Sequence, residues 1–390
     1  MVLLQVFLAN LSFAQGELDS NKTKDQKDTT LSKKNKKILV SVKEVEKLDT
    51  TTFKVNELKL IGYPYAFYTP ETQLAFGLGG MIYFRTALQP AQKPSKITIG
   101  GYYTTNNQYL ISLKPRIYFP GKKRTYFESD FSYSYDVGKF YGTGNSTKDI
   151  DSASYKSSSF GIYIETQARG FVLEPLQVGL VFDYVNVVME DKMGNPNLYD
   201  STTQGINGGK VGGIGVSWSY DNRDNISFPS SGGLHKLSVL FYGKILASDF
   251  TYNRYRFDFR QYTAPYKDHI LAFNLFADLS TGSPPFFFMP ALGGSARMRG
   301  WFEGRYREKN YLTWQAEYRK ILFWRIGMAA FYAVGDVFKN FSSLKFDQLK
   351  QSYGFGLRFV FDPKEKINLR VDFAKTKEGS GVYFSMDEAF

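Results

Sequence analysis

The chain has 390 residues, of which 17% are aromatic (28 Tyr and 35 Phe) and 22% are charged, and its mean hydropathy is only −0.31. Cysteine is absent, which excludes disulfides, thiolate metal sites, cysteine nucleophiles and lipid attachment at an N-terminal cysteine. The formal net charge is +12, but basic and acidic residues are interspersed. This pattern argues against a nucleic-acid partner, and a surface that faces anionic lipid explains it more simply.

High aromatic content without general apolarity is typical of a transmembrane β-barrel, whose strands face lipid on one side and water on the other. A soluble β-sandwich would share the alternation but would rarely need so many Tyr and Phe on exposed strands. The two histidines, His235 and His269, lie in separate strand-like segments. They lack the clustering that a metal site requires, so no metal and no other cofactor is predicted.

The first residues read as an export signal. Val2 to Phe13 is apolar and is followed by Ala14, so that small residues, Ser12 and Ala14, occupy the −3 and −1 positions of a cleavage site. Residues 1–14 are therefore predicted to be a signal peptide, although no Lys or Arg precedes the apolar stretch. No later run is long and apolar enough to cross a membrane as a helix, so strands must make any crossing.

Residues 15–56 are predicted to be a disordered and lead-in periplasmic segment. The part from 17 to 37 consists largely of Lys, Asp, Ser and Thr, which offer almost nothing to bury. A lysine-rich run of this kind is usually a solvated tail, and binding to anionic headgroups is the minority interpretation. Residues 38–56 carry a short apolar alternation that could lead into the barrel.

Residues 57–390 are predicted to form an outer-membrane β-barrel. Residues 367–374 (INLRVDFA) put apolar side chains on one face and polar or charged side chains on the other, and residues 353–361 do so with aromatic side chains. Such faces indicate a lipid-facing band around a polar lumen. About sixteen strands are predicted, at 58–67, 73–84, 96–104, 108–119, 123–135, 155–166, 175–187, 211–221, 233–243, 252–262, 268–279, 309–320, 325–336, 352–361, 367–375 and 380–390.

The connections between these strands support the same architecture. If the last strand ends in the periplasm, the long connections at 136–154, 188–210, 244–251 and 280–308 all lie on the external side. In the last strand, Val382, Phe384, Met386 and Phe390 are predicted to share one face. Phe384, Met386 and Phe390 then resemble the signal by which outer-membrane barrels are recognised for insertion.

Three sets of motifs resemble the BamA/TamA-type superfamily of outer-membrane assembly barrels, also called bacterial surface antigens. They are residues 293–307 (GGSARMRGWFEGRYR) with 315–319 (QAEYR), residues 219–232 (SYDNRDNISFPSSG), and residues 354–358 (GFGLR) with 369–373 (LRVDF). Each is weak alone, but their order over the whole predicted barrel is specific. Only about 40 residues lie between the signal peptide and the barrel, too few for a domain. The chain therefore resembles the branch without periplasmic polypeptide-transport-associated repeats.

The resemblance implies that the 280–308 connection folds back into the lumen and presents Arg299, Gly300 and Trp301 there. Glu317 is the predicted loop-anchoring partner of Arg299, because it shares a strand face with Gln315 and Arg319. An Arg–carboxylate pair shielded from water can form a strong bidentate bond.

A second acidic partner is also expected from the resemblance. The family pattern places an Asp two residues before the Gly of the next strand, where this chain has Ala333 before Gly335. Asp336, which follows Gly335, is the secondary candidate. On a strand its side chain is expected to point to the opposite face from that of residue 333.

The predicted function is that of a non-enzymatic outer-membrane barrel that aids insertion or export of protein or lipid partners. Its predicted partners are outer-membrane lipid and, as an open possibility, other outer-membrane or periplasmic proteins. The predicted mechanism is lateral opening between the first strand, which contains Gly62 and Pro64, and the last strand at 380–390. The alternatives are a passive channel, with the 280–308 loop as its constriction, and a structural barrel subunit of a larger complex. A hydrolase is disfavoured because no spacing joins a nucleophile to a base.

Overall fold

The computed structural model describes residues 58–84, 95–119, 125–169, 176–200, 202–225, 227–362 and 367–390. The predicted signal peptide at 1–14 and the segment at 15–56 lie outside these residues. The described strands are β1 (Lys59–Thr69), β2 (Gln73–Phe84), β3 (Ser95–Thr104), β4 (Tyr109–Tyr118), β5 (Tyr126–Lys139), β6 (Ser154–Arg169), β7 (Gln177–Asp191), β8 (Gly208–Asp221), β9 (Gly232–Tyr242), β10 (Tyr252–Tyr266), β11 (His269–Gly282), β12 (Ala291–Leu292), β13 (Tyr306–Arg307), β14 (Asn310–Phe323), β15 (Ile326–Phe338), β16 (Lys350–Asp362), β17 (Ile367–Thr376) and β18 (Ser380–Met386).

Sixteen of these described strands form one closed barrel in which neighbours along the chain pair antiparallel. The short strands β12 and β13 pair with each other inside the connection between β11 and β14, which are themselves neighbours in the barrel. The barrel closes between β1 and β18. The prediction of an all-β, antiparallel barrel of about sixteen strands is confirmed.

The alternation of side chains along each strand explains why these segments become barrel strands. On β14, Gln315, Glu317 and Arg319 are each 1% exposed and face the lumen, whereas Trp314 on the opposite face is 39% exposed. On β16, Phe355 is exposed on the outside and Arg358 is buried inside. Because successive side chains point to opposite faces, this period places apolar groups on the outer surface and a charged network within.

The two ends of the barrel differ. One end, called the loop end here, carries the long connections at 140–153, 192–207, 243–251, 283–309 and 339–349. The other, the turn end, carries two-residue turns at 267–268 and 324–325 and a longer connection at 222–231. Among the described residues, no helix is both long enough and apolar enough to cross a membrane.

The end of the last strand differs from the prediction. β18 stops at Met386, where Asp387 adopts a left-handed backbone with φ of 60°. The chain then turns inward, and Phe390 is buried beside Tyr262 and Ala272. Phe390 therefore does not share the outward face of Phe384, because the change of backbone direction at Asp387 ends the alternation.

Candidate functional site: the loop held inside the barrel

The connection from residue 283 to 309 folds into the barrel rather than away from it. At its tip Trp301 donates its backbone N–H to Met298 at 3.2 Å, which closes a tight turn. Met298, Arg299 and Trp301 are all almost completely buried. The inward-folding loop predicted from the resemblance is therefore present, and its tip is the segment 298–301.

Arg299 makes a two-armed contact with the barrel wall. Its Nη2 lies 2.5 Å from Glu317 Oε2 on β14, and its Nη1 lies 2.5 Å from Asp372 Oδ2 on β17. The guanidinium also lies over the ring of Phe331, 3.4 Å from the ring centroid. Arginine suits this position because its planar fork can serve two carboxylates and stack on an aromatic face at once.

The second carboxylate that binds Arg299 is Asp372. The resemblance instead points to position 333, with Asp336 as the secondary candidate. Ala333 lines an apolar cluster with Trp301 instead of carrying an acid. Asp336, the secondary candidate, accepts from Lys350 Nζ at 2.8 Å and from Asn145 Nδ2 at 2.9 Å. Asp336 thus joins Lys350 and Asn145, in two different segments at the loop end, instead of binding Arg299. The sequence signal for Asp372 was its place on the polar face of β17.

Gly300 brings the loop against β17 and β18. Its φ of +97° is one that favours glycine, and an added Cβ would lie 2.8 Å from Thr376 Cγ2. Its backbone N–H donates to the Tyr383 hydroxyl of β18 at 2.8 Å. Gly300 therefore permits a close approach to the last strands of the barrel.

Trp301 completes the tip of the loop. Its ring packs among Phe276, Leu292, Met298 and Ala333, and Nε1 donates to the Gln351 carbonyl at 3.0 Å. The buried N–H therefore has a partner, as buried indole groups usually do.

The contact of Arg299 belongs to a larger charge network in the lumen. Glu317 also accepts from Arg319 at 2.8 Å, and Asp372 accepts from Arg358 at 2.6 Å. Both of these arginines approach Glu388, which follows β18, at 3.7 Å and 2.9 Å respectively. The network therefore joins the loop tip to the inward-turned residues after β18, a connection that strand periodicity alone did not indicate.

A second contact joins the loop to the β1–β2 turn. The backbone N–H of Glu303 donates to Glu71 Oε1 at 2.8 Å, while Glu71 Oε2 is buried without a hydrogen-bond partner. Burial, reinforced by the neighbouring Glu71 carboxylate, raises the pKa of Glu303 to about 7. Burial also raises the pKa of Glu71, against the hydrogen bond from Glu303. These two acids therefore meet where the loop contacts the first hairpin.

Of the pairings between the described barrel strands, the closing seam has the fewest paired positions. Over the described residues, β1 and β18 share one paired position, Tyr68 with Phe384, whereas β1 pairs with β2 along its whole length from Lys59 to Thr69. The ring of Tyr65 on β1 also packs against Gly77 of β2, where an added Cβ would lie 2.4 Å from the ring. The Tyr65 hydroxyl donates to Gly101 O of β3 at 3.1 Å. β1 is thus fastened to β2 and β3 far more than to β18.

The described part of the chain contains no group of three or more His, Cys, Asp or Glu side chains placed to hold a metal ion. His235 stacks on Phe259 with ring centroids 4.2 Å apart. His269 Nδ1 lies 2.6 Å from the Tyr318 hydroxyl. His235 is therefore held by ring stacking and His269 by a hydrogen bond.

A closed barrel of sixteen strands with a charged lumen and a loop pinned inside it defines a class of transmembrane β-barrel. Residues 94–390 match the Omp85 superfamily domain, so the chain belongs to the Omp85 superfamily. This agrees with the resemblance to BamA/TamA-type barrels seen in the sequence motifs.

The solved structures that are similar in fold include a BamA and a CdiB protein. BamA from Haemophilus ducreyi lacking POTRA domains 1–3 superposes with a TM-score of 0.60 at 13% identity, covering 84% of this chain and 70% of that one. CdiB from Acinetobacter baumannii gives a TM-score of 0.54 at 11% identity, covering 84% of this chain and 59% of that one. A search of curated protein sequences finds no match. At these identities the likeness concerns the fold.

Proposed function

We propose that this protein resides in the bacterial outer membrane and, without enzymatic activity, aids the insertion or export of protein or lipid partners through its β1–β18 seam. The observation that carries the proposal is that the described residues show a single paired position at that seam, beside a first strand firmly held by β2 and β3. Unpaired strand edges bind other strands readily. An opened β1 edge is therefore a suitable template for a partner strand.

The lumen contacts support the same proposal, since they stand on either side of the seam. Gly300 binds Tyr383 of β18, and Glu303 binds Glu71 at the turn after β1. The loop thus touches β18 and the turn that follows β1, which lie on the two sides of the seam. Membership in the Omp85 superfamily also supports an outer-membrane location and other outer-membrane or periplasmic proteins as partners.

A disulfide across the seam tests this function. Because the chain has no native cysteine, Tyr68→Cys with Phe384→Cys can lock β1 to β18 under oxidising conditions. We expect loss of function, measured as the amount of folded outer-membrane proteins in cells that depend on this chain, with recovery after reduction.

The matched control locks the same position of β1 to its other neighbour. Tyr68→Cys with Leu74→Cys joins a paired position of β1 and β2 and should leave function unchanged. Full activity of the oxidised Tyr68–Phe384 variant would contradict the seam mechanism.

A further inference from the structure

The β15–β16 connection, residues 339–349, exposes two aromatic side chains on an ordered turn. Asn340 caps this turn, because its Oδ1 accepts from Ser343 N at 3.0 Å and its own N–H donates to Ser343 Oγ at 3.2 Å. Phe341 is nevertheless 68% exposed and Phe346 is 73% exposed. Ordered exposure of large apolar rings needs an explanation beyond loop mobility.

Lysines accompany these rings. Lys339 and Lys345 are exposed in the same connection. Lys375 is exposed near the loop end of β17, on the outward face that it shares with Phe373, and it pairs with Tyr353 of β16, which is 54% exposed. We call Lys339, Phe341, Lys345, Phe346 and Lys375 the basic-aromatic rim.

The nearby charges leave the rim positive. Lys350 is not part of it, because its ammonium is held by Asp336 at 2.8 Å. Glu378 is engaged by the Tyr306 hydroxyl and lies 3.3 Å from Arg305. Asp347 is exposed within the connection and offsets only part of the lysine charge.

The rim continues the apolar outer surface of the barrel. The connection that carries most of the rim joins β15 and β16. The outward faces of these two strands carry the exposed side chains of Met328, Tyr332, Phe355 and Leu357. Aromatic side chains next to lysines at the edge of an apolar band are the arrangement found at membrane interfaces, where rings sit among headgroups and ammonium groups reach lipid phosphates. Lysine stems also cover apolar surface while their charge stays in water.

We propose that the basic-aromatic rim is a lipid-binding surface that inserts Phe341 and Phe346 among anionic, phosphate-bearing headgroups at the loop end of the barrel. Its residues lie in the β15–β16 connection and on β17, which pairs with the seam strand β18. Lipid headgroups bound there anchor this wall of the barrel in the interface. The charge and the continuity with the lipid-facing band favour a lipid surface over a protein partner.

Environment-sensitive labelling tests the proposal. Single cysteines at Phe341→Cys and Phe346→Cys, labelled with a nitrobenzoxadiazole dye, are placed in phosphatidylcholine vesicles with or without phosphatidylglycerol. We expect quenching by nitroxide-labelled lipid at least about twofold stronger than at an aqueous loop position, because an interfacial segment lies within the headgroup boundary. Phosphatidylglycerol should strengthen it further.

The controls set both ends of the scale. Phe355→Cys lies in the lipid-facing band, and Ser152→Cys is an exposed polar position next to the exposed Asp151 on another loop-end connection. Replacing Lys339, Lys345 and Lys375 by Gln should remove the phosphatidylglycerol effect. Folding of every variant is verified by the migration of unheated protein on gels.

Two results would overturn the proposal. The first is quenching at positions 341 and 346 that equals that at Ser152→Cys, with full access to aqueous iodide. The second is dye burial that appears only when a second protein is added, which would assign the rim to a protein partner.

Discussion

Arg299 shows how a buried cation is tolerated at the residue scale. Removing an arginine from water is costly unless its charge and its donors are matched. Here two carboxylates and one aromatic face meet these needs. Its own backbone carbonyl also accepts from Ser352 Oγ of β16. Arg299 is therefore held by side-chain and main-chain contacts to four neighbouring strands, β14 to β17.

Replacing Arg299 by Ala should release the loop tip. The substitution leaves Glu317 and Asp372 without one of their cations in a buried site, where such losses cost on the order of 3–5 kcal/mol. The measurement is the urea midpoint of the folded band on unheated gels, for Arg299→Ala, for Glu317→Ala and for the double variant. We expect a coupling free energy of about 1–3 kcal/mol, since the residues are in contact.

Arg299→Lys is the matched control for charge. It keeps the positive charge but loses the fork that serves Glu317 and Asp372 together, so an intermediate midpoint is expected. Strictly additive effects of Arg299→Ala and Glu317→Ala would refute the pair as an energetic unit.

Glu303 should make the hold on the loop depend on pH. Its pKa is raised to about 7 from a usual value of 4.5, so the folded state keeps a proton that the unfolded state has released. Stability from this group is therefore fully present below about pH 4.5 and decreases as pH rises through about 7. We expect a falling urea midpoint over that window and little further change from Glu303 above it.

Glu303→Gln supplies the control, because an amide is neutral at every pH and occupies nearly the same volume. The variant should be more stable than the native chain above pH 7, by an amount on the order of 2 kcal/mol. It should also show a flatter pH profile. Identical profiles for the two proteins would rule out Glu303 as the titrating group.

At the scale of elements, the strands were predictable because their signal is local. The period of two in residues 367–374 and 353–361 is imposed by a lipid-facing side and a polar lumen, and both segments lie in strands within a few residues of the expected bounds. The connections were predictable for the same reason, since they are what remains between the alternating runs.

The inward turn after β18 could not be predicted in this way. It depends on Asp387 adopting a left-handed backbone and on Phe390 finding Tyr262 of β10, far away in sequence. Alternation extended past Met386 therefore put Phe390 on the wrong face. A polar residue such as Glu388 within an apolar series was the one local sign of a change.

The second partner of Arg299 escaped sequence reasoning for a related reason. Glu317 and Asp372 lie on β14 and β17, which are separated by two strands, and only a loop tip that crosses the lumen brings both to one guanidinium. Strand parity shows that Asp372 faces inward, but it does not show its height in the barrel. That height follows from the register, which pairs Asp372 with Gly356.

At the scale of the whole molecule, the lumen network connects regions that are far apart in sequence. The loop, the wall strands β14, β16 and β17, and the residues after β18 share Glu317, Asp372 and Glu388 as acceptors. Each acid serves more than one arginine, so loss of one contact changes the charge balance at the others. The network therefore forms a continuous set of contacts from the loop tip to the residues that follow β18.

Deletion of the loop tip should convert the barrel into an open pore. Barrels of about sixteen strands are wide enough to hold an aqueous channel, and here the buried side chains of Met298, Arg299 and Trp301 occupy the lumen. Replacing residues 294–304 by a short Gly-Ser linker removes that obstruction. We expect large, stable conductance steps in planar bilayers for the variant and only small, rare ones for the native chain.

Deletion of residues 340–348 is the matched control, because that connection lies outside the lumen and its loss should leave conductance unchanged. Large stable openings in the native chain would favour the passive channel, since a loop that admits ions is a constriction rather than a plug. A folded loop-tip variant that stays closed would show that the inward-turned residues after β18 suffice to block the lumen. Glu388 binds Arg319 and Arg358, which also donate to the two acids that hold Arg299. Combining the tip deletion with Glu388→Gln then distinguishes one barrier from two.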